Sequence, residues 1–210
     1  MTGMTAAVPD VKVVILGLMG TGKTAVGEEL ARRLGLPYSD SDRTVAAATG
    51  MTAGEVQEAS AVPFLHALEA RHLLDALRSP APTVIGADAS VVDTRRCRAA
   101  LRASNVFGIW LRARPETLVA RFPNEQHRPS FGDPAVFFPN QIAVRSPHFR
   151  KLSAATIDVD DLSVAEAVAS AEATVRSHLA RRSDLLVEPS PEKYPGPTGG
   201  EDRETHPDAT

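Results

Sequence analysis

Gly17-Leu-Met-Gly-Thr-Gly-Lys-Thr24 is the segment whose residue types and spacing specify chemistry most directly. It fits G-x-x-x-x-G-K-[ST], with Gly17, Gly22, Lys23 and Thr24 at the fixed positions. Glycines at 17, 20 and 22 let successive backbone N–H groups turn inward around a phosphate, where side chains would block the approach. The helix that follows adds the partial positive charge of its N-terminus. An ammonium at Lys23 can reach the β- and γ-phosphates, and the Thr24 hydroxyl is a hard-oxygen ligand for Mg²⁺. Gly17, Gly20, Thr21, Gly22, Lys23 and Thr24 therefore read as an ATP-binding loop, with Mg²⁺ as its accompanying ion.

A phosphate loop of this kind needs a buried strand on one side and a helix on the other. Val11-Lys-Val-Val-Ile-Leu16 is a β-branched run ending at glycine, as in a strand covered on both faces of a parallel sheet. Thr24 to Leu34 carries Val26, Leu30 and Leu34 at helical spacing, closed by Gly35 with Pro37 beyond. Further helices are expected over 42–48, 61–77, 94–103, 115–121 and 163–181. Strands are expected over 83–87 and 106–111, with a weaker pattern over 154–159. Strands alternating with helices at this rhythm imply an α/β fold, a central parallel sheet with helices on both faces. Residues 122–139 hold Pro123, Pro129, Gly132, Pro134 and Pro139, and an irregular stretch of that length inside a domain reads as a mobile lid. Residues 1–10 read as a flexible leader, 11–182 as one domain, and 183–210 as a disordered tail rich in Pro, Gly and acids.

Beyond the loop, Leu36-Pro-Tyr-Ser-Asp-Ser-Asp42 and Ala48-Thr-Gly-Met-Thr52 resemble the shikimate kinase family, with its D-x-D pair and following T-G turn. The resemblance continues through the strand at 83–87, Glu116 with Arg121, Arg128-Pro129, and Arg145 with Pro147 and Phe149, spanning roughly residues 11–181. It implies a three-layer P-loop nucleoside-kinase-like fold and transfer of the ATP γ-phosphate to a hydroxyl of shikimate, with Mg²⁺. Carried over by position, Asp40 would hold the metal through water, and Asp42 would accept a hydrogen bond from the acceptor hydroxyl and help take its proton. Arg128 would close over the transferring phosphate, Arg121 would stack on adenine, and Arg145 would bind the acceptor carboxylate. On residue types alone, Ser39 to Asp42 could equally cap the next helix, and Arg145 could be a surface arginine of a helix.

The departures from the family lie on the acceptor side. An arginine of its F-R-x-x-E stretch is replaced in Phe64-Leu-His-Ala-Leu-Glu69 by Leu65 or His66, and a lone helical histidine is commonly structural. Its Gly-Gly-Gly turn is replaced by Asp88-Ala-Ser90, and its lid R-P-L-L by Arg128-Pro-Ser-Phe131. Losing one arginine and gaining one aspartate makes the acceptor pocket about two charges more negative, which disfavours an anionic acceptor. The expected acceptor-binding residues are Asp42, His66, Asp88 and Arg145. Asp88 has a second reading as the metal-water aspartate at the end of an apolar strand. Three functions stay open: a shikimate kinase, a kinase with a neutral or cationic acceptor, and a nucleotide-binding regulatory protein without catalysis.

Composition sets outer bounds. With 43% hydrophobic and 23% charged residues and a net charge of −3, the chain is expected to be globular, with no bias toward nucleic acid. The arginines between 95 and 121 are balanced by acidic residues elsewhere and read as a solvated face. No apolar run suits a membrane, and Cys97, the single cysteine, reads as a half-buried thiol with no disulfide partner. A cytoplasmic monomer is expected, with ATP/ADP and a small hydroxyl compound as its partners.

Overall fold

The computed structural model describes residues 11–59, 61–122 and 133–186. Five strands, β1 (Lys12–Leu16), β2 (Tyr38–Asp40), β3 (Thr83–Gly86), β4 (Val106–Arg112) and β5 (Ala155–Asp158), form one parallel sheet in the order β2-β3-β1-β4-β5. The central strand β1 pairs Val14 with Ile85 on one side and with Gly108 on the other. All five of its residues are buried, and since side chains alternate along a strand, both faces of the sheet must be covered. Even Lys12 is enclosed, its Nζ donating to the Ala81 carbonyl.

The helices are α1 (Lys23–Leu34), α2 (Ser41–Thr49), α3 (Ala53–Glu58), α4 (Val62–Arg78), α5 (Arg95–Ala100), α6 (Pro115–Arg121), α7 (Pro134–Leu152) and α8 (Val164–Leu186), with a 3₁₀ turn at Ala89–Asp93. α1 packs against α8, and α4 packs against α5 and the 3₁₀ turn. One large core joins the sheet to these helices, centred on Val14, Ile15, Ile85 and Ile109. A small separate core of Val45, Val56 and Leu65 ties α2, α3 and α4 together beside the β2 edge. That unit carries Asp42 and His66, two of the four residues expected to meet the acceptor.

Three differences from the sequence expectation have physical reasons. Tyr38–Asp40 is an edge strand of three half-buried residues, too short to show periodicity, yet it pairs in register with Val84, Ile85 and Gly86. The breaker-rich stretch over 122–139 does not run through to Pro139. A helix begins at Pro134, where proline at the first helical position loses no intrahelical bond, and Asp133 caps it through Ala135 N at 2.9 Å. Pro139 and Pro147 lie inside that helix. At the other end α8 continues to Leu186, past the expected tail boundary at 183. The leader, residues 123–132 with Arg128, and the tail from 187 lie outside the described residues. Cys97 is fully buried rather than half-buried, its Sγ 3.9 Å from the Ala70 carbonyl.

Candidate active site

The loop between β1 and α1 is wrapped as its sequence requires. Gly17 has φ 152°, and a Cβ there would lie 2.7 Å from the Leu111 carbonyl oxygen and 2.8 Å from Thr21 Oγ1, so β4 leaves no room for a side chain. Gly22 opens α1 in the left-handed region (φ 86°) with no side-chain cap, so the first N–H groups of the helix are left for an anion. Thr21 Oγ1 donates to the Leu18 carbonyl at 2.8 Å and braces the loop internally. Lys23 folds back so that Nζ donates to the same carbonyl at 3.1 Å. Its pKa is lowered by burial, against the pull of Asp88, Asp40, Asp42 and Glu69. An ammonium held among carboxylates and partly stripped of water is primed for phosphate oxygens.

β2 delivers the first carboxylate. Asp40 Oδ2 lies 3.5 Å from Thr24 Oγ1 and accepts from Tyr38 OH at 2.9 Å, while Oδ1 accepts from Asp42 N at 2.9 Å and caps α2. Asp40 thus caps a helix with one oxygen and faces the P-loop threonine with the other. The Tyr38 ring fits only because Gly27 of α1 and Gly86 of β3 have no side chains; a Cβ on Gly27 would sit 2.5 Å from Tyr38 Cε2. Sequence reasoning passed over Tyr38 because its role appears only when α1, β2 and β3 are brought together.

Asp88, at the end of β3, accepts from Ser41 Oγ, and buried Glu69 on α4 accepts from Ser90 Oγ. Burial, and next the charge of Asp88, push the Glu69 carboxyl up to about 8, with Ser90 and Arg145 acting in the opposite sense. Asp42 interacts electrostatically with both Lys23 and Glu69, so Asp42, Glu69 and Asp88 share one acidic wall. Glu69 closes the stretch compared with F-R-x-x-E and is a site residue the sequence analysis missed. Its spacing three positions after His66 on a helix was the available signal.

The alternative between Leu65 and His66 resolves in favour of His66. Leu65 belongs to the small core, whereas half-buried His66 lies in the field of Arg145, Asp93 and Asp88. Burial first, and then Arg145, lower the His66 pKa. Arg145 on α7 is itself engaged: Nη2 meets Asp93 Oδ2 at 2.7 Å, and Nε lies 3.2 Å from both carboxylate oxygens. Asp93 had no signal in the sequence. Arg121 stands on the other flank, its Cβ 4.0 Å from a Cβ built on Gly20, and its Nη2 donates to the Val159 and Asp160 carbonyls at 2.7 and 3.2 Å. A separate cavity of about 470 Å³ opens between Leu18 and Thr21 of the loop, Trp110 of β4, Leu118 of α6 and Phe149 of α7, and none of the acidic wall lines it.

The structure thus gathers Lys23, Thr24, Asp40, Asp42 and Asp88, with His66 and Arg145 near the acidic wall and Arg121 beside the loop; Arg128 is outside the described residues. A family model for shikimate kinase matches residues 19–176. Shikimate kinase of Corynebacterium glutamicum is 32% identical over 160 residues, 75% of this chain and 92% of that protein. Shikimate kinase of Symbiobacterium thermophilum is 36% identical over 161 residues, 75% of this chain and 91% of that protein. In fold, the chain is similar to shikimate kinase of Acinetobacter baumannii in complex with shikimate, with a TM-score of 0.70 at 20% identity over 86% of this chain and 97% of that one. A sequence likeness of this extent, on a parallel sheet in this strand order, carries a definite assignment: the chain belongs to the shikimate kinase family, ATP-dependent phosphotransferases with an alcohol group as acceptor.

Proposed function

We propose that this chain transfers the γ-phosphate of ATP to a hydroxyl of a small polyol seated against Asp42, Glu69 and Asp88, in the manner of a shikimate kinase. The observation that carries the reading is the meeting of Thr24 and Asp40, from different elements, at 3.5 Å beside Lys23. A nucleotide-binding loop alone needs no such partner; a loop that orients a metal-bound triphosphate does.

Mg²⁺ fits the donors present. Thr24 and Asp40 offer hard oxygens, and the described residues include no cluster of three or more His, Cys, Asp or Glu that would make a full protein cage. That suits an ion held mainly by phosphates and water. Thr24, and Asp40 through water, would hold it, and it would supply charge neutralisation of the β- and γ-phosphates. Lys23 binds the same oxygens from the loop. The acceptor oxygen attacks the γ-phosphorus, the bond from that phosphorus to the bridging oxygen breaks, and ADP leaves with the electron pair. The hydroxyl proton passes to Asp42 and then to solvent. Arg128 from the 122–133 segment neutralises charge on the transferring group, and Arg121 holds adenine. A reaction that draws on ATP and Mg²⁺ favours the cytoplasm as its compartment.

The test is ADP formation by purified protein with ATP, Mg²⁺ and shikimate or related polyols, for the wild type and Asp42→Asn. Acceptor-dependent ADP release that falls by about 100-fold or more in the variant supports the reading. Tight nucleotide binding with no acceptor-dependent release from any polyol would instead leave a nucleotide-responsive binding protein.

A further inference from the structure

We propose that Asp93 sets acceptor specificity by occupying Arg145, so that the site takes a carboxylate-free polyol and favours one bearing an amine. The inference rests on the phosphotransfer reading above and names the substrate class for that same site.

Among the described residues, Arg145 is the cation against the acidic wall that is not part of the phosphate loop, and its Nε and Nη2 donors are already engaged by Asp93. Asp93 covers its Nε and Nη2 edge, one of the two edges through which a guanidinium grips a carboxylate with two parallel hydrogen bonds. The pair is built rather than casual. The Arg145 side chain is only 14% exposed, and the Asp93 backbone is pinned by Arg98, whose Nη1 donates to the Val92 and Asp93 carbonyls at 2.6 and 2.8 Å. An incoming carboxylate must displace Asp93 and then lie near Asp88 and Glu69.

His66 does not make up the missing charge. It is half-buried beside Arg145, and both burial and that neighbour favour the neutral ring. On the acidic wall, Asp88 is met by Ser41 and keeps further lone pairs, since a carboxylate offers about four acceptor positions, whereas Glu69, met by Ser90, keeps its proton below about pH 8. Lys23 is committed to phosphate. Among the described residues, what remains facing the acceptor is the oxygen acceptors of Asp42 and Asp88, complementary to hydroxyls and to an ammonium with its three donors.

One ring scaffold in three forms tests this: shikimate, its hydroxymethyl analogue and its aminomethyl analogue. Each is titrated against wild type, Asp93→Ala and Asp93→Asn with ADP and Mg²⁺ present, and each is assayed for ADP release with ATP. The wild type should bind the amine and the alcohol about tenfold or more tightly than the carboxylate. Both variants should abolish that preference by tightening shikimate about tenfold or more, mainly through KM, with Mg·ADP affinity unchanged as a control on folding. Equal or tighter binding of shikimate by the wild type overturns the proposal, as does an order unaltered by either variant or no binding of any of the three. Failure of the phosphotransfer reading looks different: the binding order holds while none of the three supports ADP release.

Discussion

Replacing Glu69 by glutamine should abolish a specific slope in the pH dependence of stability. The carboxyl is buried, 7% exposed, and is raised from 4.5 to about 8 by desolvation and then by the charge of Asp88. Below pH 4.5 the folded and unfolded states both carry its proton, and its contribution is fully present. Between 4.5 and about 8 the unfolded chain has released the proton while the folded chain retains it, so stability falls as pH rises. At 1.36 kcal/mol per pKa unit the full effect is roughly 5 kcal/mol, an upper bound, and relaxation around the ionised group reduces what melting registers to about 2–3 kcal/mol. For a domain of this size that corresponds to about 5–10 °C in Tm. Thermal melts of wild type and Glu69→Gln from pH 5 to 8.5 at constant ionic strength measure it. The wild type should lose stability across this range relative to the variant, with the gap widest at pH 8.5. Parallel curves would refute the claim that a protonated carboxyl is buried against Asp88.

The positioning of Asp40 and the burial of Cys97 make two further predictions. Tyr38→Phe removes the donor to Asp40 Oδ2, and Gly27→Ala drives the ring off its seat; each should raise the Mg²⁺ concentration for half-maximal turnover several-fold, equivalent to about 1 kcal/mol, and an unchanged Mg²⁺ requirement would contradict the positioning role. Cys97 is enclosed, and burial pushes its thiol upward, so alkylation of native protein should proceed only as fast as the core opens. Rapid labelling under native conditions would show that α5 does not pack as described.

Legibility in the sequence followed how local the physical requirement was. The phosphate loop was readable because its backbone shape restricts residue types within eight consecutive positions. β1, β3 and β4 announced themselves as apolar runs, and their alternation with helices implied the parallel sheet. β2 was missed because a three-residue edge strand has no periodicity and derives its order from pairing with β3. The start of α7 was hidden by proline at 134, which breaks a helix internally yet suits its first turn. At the site, Lys23, Thr24, Asp40, Asp42 and Asp88 could be named from motif positions. Tyr38 could not, since two distant glycines make its seat. Asp93 could not either: its meaning comes from α7 folding back over the 3₁₀ turn to bring Arg145 within hydrogen-bond reach, a contact between distant parts of the chain.

Calorimetric titration of the full-length protein and of Lys23→Ala with Mg·ATP tests the central claim, that the amides and ammonium around Gly17 to Thr24 form a triphosphate cradle. Lys23 rests on the Leu18 carbonyl and must exchange that contact for phosphate oxygens. A hydrogen bond to a charged group is worth about 1.5–3 kcal/mol, so the substitution should weaken Mg·ATP by roughly 10- to 150-fold while leaving the fold intact. Saturable Mg·ATP binding that drops by that factor is the predicted result. Absent binding in the wild type, or equal affinity in the two proteins, would contradict it.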